Sequence, residues 1–338
     1  MYSGEWGPDG ENGPDAERGP DGERGPESRR VMGADGGGTR LRLGLADGTA
    51  TILARREGPP ALALPGQGDA LAATLAAEVR ALSRNAGVEL PLDALVLGLA
   101  GVGRPGVAAR LRQKLEFRGV ALRIRVTTDA QVALDDAFPS DPGILLAAGT
   151  GSIALARTPR GKILRAGGWG PLLGDEGSGY SLALKALRSV VRGMEGRGPA
   201  TALTPRLLEA MGAASPEGLL SWIQAAEKGE VAVLAPLVVE VAREGDPAAA
   251  RRVEEAVTAL ESHVQALQRR LREELSKDGD PPDQEVQEVP VALAGGLIGP
   301  GGSLRDLLLQ HLEGAGIPLH PEAVDGVRGA IRSAVALL

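Results

Sequence analysis

Two glycine-rich segments carry the residues whose types and spacing could do chemistry. Asp35 stands directly before Gly36, Gly37, Gly38 and Thr39, and Gly149-Thr150-Gly151-Ser152 repeats the pattern, Gly149 lying 113 residues after Gly36. Each segment sits between two apolar runs, GADGGGTRLRLGLA and LAAGTGSIALAR. A turn free of side chains lets another group approach the backbone, and its N–H groups form a concavity suited to phosphate. Thr39, Thr150 and Ser152 add hydroxyl donors. Asp35 repels phosphate unless a cation intervenes, and a Mg²⁺ held through water would remove that repulsion. Asp129 closes the run ALRIRVTTD (121–129). There it could take a proton from a hydroxyl, cap the helix expected from Ala130, or do both. Asp175 and Glu176 precede another expected helix, whose N-terminus stabilises acidic side chains. Gly295 and Gly296 follow the apolar run VPVALA, where they mark either a loop or a surface on which a flat ring could lie.

Other chemistries find no support. The chain has no Cys, which excludes a disulfide scaffold, an iron–sulfur cluster and a thiol nucleophile. Its three His (His263, His311, His320) are scattered without ligand spacing. The G-x-x-x-x-G-K-[ST] phosphate loop is absent, and a dinucleotide fingerprint would need a helix, not a strand, after the glycines. A formal net charge of -7 disfavours nucleic acid. No apolar stretch is long enough to span a membrane and no secretory leader opens the chain, so a cytoplasmic location is expected.

The elements that must position these residues divide into a tail and a body. Residues 1–30 hold seven Gly, four Pro, eight acidic and four basic residues, and read as a solvated, disordered leader. Strands are expected at 31–35, 40–46, 94–100 and 121–129, on both sides of the turn in 143–157, and at 289–296. Helices are expected at 69–86, 106–116, 303–313 and 322–337, with a long helical region over 179–275 interrupted near Gly193–Pro199, Pro205 and Gly212–Pro216. Residues 276–288 read as a polar loop. The strand–strand–strand–helix order occurs twice, which argues an α/β fold with two related halves.

The set DGGGT (35–39), LGLAGVGRP (97–105), TTDA (127–130), AAGTGS (147–152), GGWGPLLGDEGSGY (167–180) and LAGGL (293–297) resembles the N-acetylglucosamine kinase group of BadF/BadG-type ATPases, within the actin–hexokinase–chaperone superfamily. The resemblance implies a two-lobed, ribonuclease H-like (actin-like ATPase) fold with an interlobe cleft. One lobe would span 31–138 joined by the C-terminal helix 322–338, the other 139–321. It implies ATP and Mg²⁺ as cofactors, Asp129 as catalytic base and Asp35 as the Mg²⁺-associated carboxylate. Gly36, Gly37, Gly38, Thr39, Gly149, Thr150, Gly151 and Ser152 would hold phosphates, and Gly295 and Gly296 adenosine. Asp129, Thr150, Gly168, Trp169 and Asp175 would meet the sugar, though Trp169 could equally fill a core corner. The implied activity is phosphorylation of an amino sugar, most simply N-acetylglucosamine to its 6-phosphate, with a homodimer as possible assembly. Glucosamine or another hexose, an ATPase without sugar, and a non-catalytic sugar-responsive regulator are the alternatives. Ala61 and Ile153 stand where animal-type members carry sugar-reading Asn.

Overall fold

In the computed structural model, which describes residues 25–213, 215–276 and 289–338, the alternation around the first glycine turn becomes a hairpin. Strands β1 (Arg30–Gly36) and β2 (Leu41–Asp47) pair antiparallel with Asp35 opposite Arg42. β3 (Ile52–Gly58) extends the hairpin, and β4 (Leu92–Leu99) and β5 (Ala121–Thr127) add on the other side in parallel, giving the order β3-β2-β1-β4-β5. The second glycine turn repeats the plan. β6 (Gly143–Ala148) and β7 (Ser152–Arg157) form a hairpin, β8 (Ile163–Gly167) joins at its edge, and β9 (Val291–Ala294) runs parallel to β6. β4 is buried at every position, as a central strand covered on both faces must be.

Each sheet is covered outside by its own helices. α1 (Gly68–Asn85) and α2 (Val107–Glu116) pack through Leu75, Val79, Leu111 and Leu115 on the first sheet. α4 (Gly179–Met194), α5 (Leu203–Met211), α6 (Pro216–Ala225), α7 (Lys228–Ala232), α8 (Ala235–Arg243), α9 (Pro247–Ser276) and α10 (Arg305–Gly314) build the core outside the second. Two helices lie between the sheets. α3 (Asp129–Ala137) turns Ala130, Ala133 and Leu134 toward Leu145 and Leu155 of the second sheet. α11 (Gly326–Val335) lays Val327 and Ile331 on Val31 and Val96 of the first. The two helices cross closely because position 329 is glycine: a Cβ there would land on the Val132 carbonyl. Arg328 binds the buried Asp136 carboxylate through Nε at 2.5 Å and Nη2 at 2.9 Å, and Arg157 of β7 reaches Asp135 at 2.5 Å. α3 and α11 are thus locked to each other by close packing and charge-assisted bonds, and the Arg157–Asp135 pair ties α3 to the second sheet. This is the two-lobed α/β arrangement with a cleft between its halves.

Some expectations are adjusted by local physics. Pro205 does not interrupt a helix; it lies in the first turn of α5, where its missing N–H has no intrahelical acceptor to lose. α11 starts at Gly326 rather than 322 because Asp325 caps it, accepting from the Val327 amide at 3.0 Å. The end of the supposed leader belongs to the fold: Gly48 donates to the Pro26 carbonyl at 2.9 Å, and Arg30 opens β1. Residues 1–24 of that leader and 277–288 of the polar loop fall outside the described residues. Among the described residues no helix is long and apolar enough to cross a membrane.

Candidate active site between the two sheets

Asp35 is the penultimate residue of β1, on the strand face that meets α11. Its carboxylate pairs with Arg42 across the hairpin, and a Cβ on Gly326 would stand 2.7 Å from Asp35 Oδ2. The glycine at the first position of α11 thus leaves the space that the carboxylate fills. Asp129 is the first residue of α3, whose cap is Thr128, its hydroxyl accepting from the Gln131 amide at 3.1 Å. The capping role that the sequence allowed to Asp129 belongs to Thr128. Asp129 Oδ1 instead accepts from the Ala130 amide at 3.0 Å. Burial holds both carboxyls above the ordinary carboxylate range. For Asp35 the Arg42 charge opposes the shift; for Asp129 the charge of Asp35 adds to it. The two carboxylates therefore share one electrostatic environment.

The first turn is closed by the Gly37 amide donating to the Arg40 carbonyl at 3.1 Å. Gly37 and Gly38 face open space: a Cβ on either would meet nothing within 4 Å. The second turn closes through Gly149 N–H to the Gly151 carbonyl at 2.9 Å, leaving Thr150 exposed at its tip. Among the described residues nothing accepts from the Gly38, Thr39, Thr150 or Gly151 amides. These are the donors that a phosphate chain would satisfy. Ser152 is different. As the first residue of β7 it turns inward, buried, with its hydroxyl donating to the Glu176 carbonyl at 2.7 Å. Of the three expected hydroxyl donors, this one faces away from a phosphate.

α3 joins Asp129 to the surroundings of the second turn. Its first buried residue, Ala130, lies in the same apolar cluster as Ala147 and Ile153, which flank the second turn, and Ala294, which precedes the glycine pair. Gly295 adopts a φ of +92°, a conformation natural to glycine, and a Cβ there would collide with the Ala148 carbonyl. The Gly296 amide comes within 3.5 Å of where a Gly149 side chain would begin. Asp35 thus acts electrostatically on Asp129 at the head of α3, and α3 packs beside the second turn and the 295–296 pair, all of them at the carboxyl ends of parallel strands.

The segment 167–178 forms the wall beside the second turn. Gly168 N–H donates to the Ser152 carbonyl at 3.0 Å, and Trp169 is exposed, with the Arg165 guanidinium 4.7 Å from its ring centroid. Trp169 is therefore not a core corner. Asp175 is buried at a φ of +59°; its Oδ1 accepts from the Ser152 amide at 3.2 Å and its Oδ2 from Lys228 Nζ at 2.6 Å. Ala61 is fully buried, its amide bonded to the Gly37 carbonyl at 3.0 Å, and Ile153 lies beneath Gly168. Neither can hydrogen-bond a ligand through its side chain.

Three residues beside the site are not among those that the sequence singles out. Arg42 could have been found from hairpin register, which sets it opposite Asp35. Arg104 donates to the Ala63 carbonyl and fixes the segment over the first turn. Lys228 lies in α7, 53 residues beyond Asp175, and no spacing rule connects them. Among the described residues no cluster of three or more His, Asp or Glu could hold a metal by itself. Asp35 does fit Mg²⁺, which is commonly held by one or two carboxylates with water and substrate phosphates completing its shell.

A model of the BadF/BadG/BcrA/BcrD ATPase family matches residues 32–333. The N-acetylmuramic acid/N-acetylglucosamine kinase of Clostridium acetobutylicum is 32% identical over 177 residues, 52% of this chain and 58% of that protein, so the match spans less than two thirds of its length. The N-acetyl-D-glucosamine kinase of Dictyostelium discoideum is 29% identical over 294 residues, 83% of this chain and 89% of that one. A solved structure from Chromobacterium violaceum, assigned as an N-acetylglucosamine kinase, is 31% identical with a TM-score of 0.73, covering 90% of this chain and 99% of that one.

Proposed function

This chain belongs to the BadF/BadG/BcrA/BcrD ATPase family, and we propose that it is an ATP-dependent amino-sugar kinase that converts N-acetylglucosamine to its 6-phosphate. The observation that carries this reading is the meeting of Asp35 and Asp129 between two turns whose amides are free, in a chain whose relatives phosphorylate amino sugars. The first lobe is taken as 31–138 with 322–338 and the second as 139–321.

Phosphoryl transfer asks a protein mainly for positioning and charge compensation. The free amides of Gly38, Thr39, Thr150 and Gly151 would take phosphate oxygens from both sides of the cleft, with the backbone at 295–296 beside the adenosine. Mg²⁺, held through Asp35, would offset charge on the phosphates. The acceptor hydroxyl attacks the γ-phosphorus as the bond to the bridging oxygen of ADP breaks. Its proton passes to the Asp129 carboxylate, to which no side chain donates among the described residues. Burial makes Asp129 a stronger base than an exposed carboxylate, which suits that task. Gly168 and Trp169 would wall the sugar. Asp175, with each oxygen bonded once, keeps lone pairs for a sugar hydroxyl. Because Ala61 and Ile153 offer no amide, recognition of the acetamido group must come from backbone or from the 167–178 segment.

The test is ATP turnover with and without N-acetylglucosamine, glucosamine and glucose. ADP release stimulated by N-acetylglucosamine, with phosphosugar formed in equal amount, is expected. Sugar-independent turnover, or sugar binding without turnover, would overturn the proposal.

A further inference from the structure

The second turn has a cation that the kinase reading does not use. Lys228 opens α7, held by a reciprocal cap in which the Glu227 amide donates to Glu230 Oε2 at 2.7 Å and the Glu227 side chain returns a bond. From there Nζ donates to Asp175 Oδ2 at 2.6 Å. The ammonium also borders the turn itself: a Cβ on Gly151 would lie 3.2 Å from Lys228 Nζ and 2.9 Å from Asp175 Oδ1. The turn is packed against the same layer from behind, since the Gly179 amide at the head of α4 donates to the Gly149 carbonyl at 2.8 Å. The pair is asymmetric. The Asp175 side chain is 6% exposed and that of Lys228 35%, so the carboxylate is sunk in the lobe while the ammonium looks outward. An ammonium has three N–H donors. Asp175 takes one, the Tyr180 ring lies 5.8 Å away, and among the described residues no other group accepts from Nζ.

Charge decides what the remaining donors are for. A triphosphate brings strong negative charge into a cleft that already holds Asp35 and Asp129; Arg42 pairs with Asp35 at the first turn, and Lys228 is the cation bordering the second. We infer that Lys228 contacts the γ-phosphoryl group of ATP. Resting on the kinase reading above, this makes Lys228 a residue of the transfer step, with Asp175 holding the ammonium against the turn. The competing role is structural, neutralising the buried Asp175 and nothing more.

Nucleotide binding without sugar separates the two roles. Calorimetry with Mg²⁺ would compare a non-hydrolysable ATP analogue with ADP, for the wild type and for Lys228→Met. Because Lys228→Met leaves Asp175 buried without its partner, Lys228→Arg and the double variant Lys228→Met/Asp175→Asn are measured beside it, with circular dichroism reporting the fold. The expected result is that Lys228→Met and the double variant lose at least 10-fold in affinity for the ATP analogue while ADP affinity changes less than 2-fold. Lys228→Arg should retain most of the preference for the triphosphate. Equal losses for both nucleotides, or no loss in a folded double variant, would assign Lys228 to structure alone. The kinase reading is judged separately, by sugar-stimulated turnover of the wild type. A wild type that turns over with sugar yet shows no γ-phosphate dependence on Lys228 sinks only the present inference, and a wild type that binds neither nucleotide sinks both.

Discussion

At the first glycine turn the carboxylate comes from the strand itself: Asp35 lies one residue before the end of β1, and its cation, Arg42, faces it across the hairpin. At the second turn the same strand positions hold no charge. Ala147 and Ala148 end β6, and the carboxylate and cation arrive from elsewhere, Asp175 from the segment before α4 and Lys228 from α7. In both pairs the cation is the more exposed partner, but the carboxylates differ in depth: the Asp35 side chain keeps 16% exposure, whereas that of Asp175 keeps 6% and spends one oxygen on the Ser152 amide. Two hairpins of one plan have thus been armed differently. The first draws carboxylate and cation from its own two strands and leaves the carboxylate partly open; the second buries a carboxylate from a later segment beneath a cation from a distant helix. A cleft with carboxylates on its first wall and an ammonium bordering its second turn can hold a cation and an anion side by side, as a metal–triphosphate requires.

The largest effect expected on this contrast comes from the acid wall. Asp129→Asn keeps the shape and removes the proton acceptor, so kcat should fall by about 10²–10⁴-fold, the usual worth of a general base, with nucleotide affinity nearly unchanged. The same variant should unfold at a higher temperature. Burial raises the Asp129 pKa, so its ionised form costs stability at neutral pH, and a neutral amide removes that cost. Steady-state kinetics beside thermal unfolding reads both. A variant that loses activity and stability together would mean that Asp129 is structural, and the contrast between the walls would fail.

A methyl group on each turn sharpens the comparison next. At Gly38 it meets open space, so Gly38→Ala should change stability by less than about 0.5 kcal/mol, as for an exposed site. At Gly151 it presses between Asp175 and Lys228, and Gly151→Ala should cost about 1–3 kcal/mol, the range for overpacking a filled site. Urea unfolding of the pair is sufficient. Equal costs would show that the second pair is no more tightly built than the open first turn.

The pH profile tests the acid wall again, at smaller amplitude. With Asp129 raised by burial and by Asp35, lowering pH protonates it sooner than an exposed aspartate, whose pKa is ~3.9. The acid limb of kcat/KM should therefore fall at higher pH than 3.9, activity being full above the raised pKa and lost below it. Because this limb belongs to the first wall, Lys228→Met should lower the plateau and leave the limb in place.

How far the sequence foretold this arrangement follows from the same contrast. Everything at the first turn is local: the alternation of Leu41, Leu43 and Leu45 defines β2, and hairpin register then sets Arg42 against Asp35. The glycines of the second turn are equally plain between two apolar runs. The third strand of each sheet is not, because β3 carries Arg55, Arg56 and Glu57 at a half-exposed edge and β8 has five residues with Arg165 among them. An edge strand needs one buried face or less, so its pattern is weak. The partner of Asp175 was beyond reach for another reason. Lys228 is one cation in a helical stretch of nearly a hundred residues, and its nearness to Asp175 exists only once α4 and α7 have packed on the turn. Local period shows which face a residue takes, but not which distant helix will meet it.

The smallest expected effect lies at the rim. Arg165 rests over the exposed Trp169 ring at 4.7 Å, a contact worth about 0.5–1 kcal/mol at an exposed site. Arg165→Met should therefore leave stability within about 1 kcal/mol of the wild type. If Trp169 walls the sugar, losing the cation that steadies the ring should raise KM for the sugar a few-fold while KM for ATP stays put, since neither group touches the phosphate turns. A shift in both constants would mean that the 167–178 segment moves with the second turn as one body. That outcome is physically reasonable, because the Gly168 amide is bonded to Ser152 and the Ser152 amide to Asp175. The sugar wall and the cationic wall would then be a single element, and the acid wall would be the only part of the cleft able to act alone.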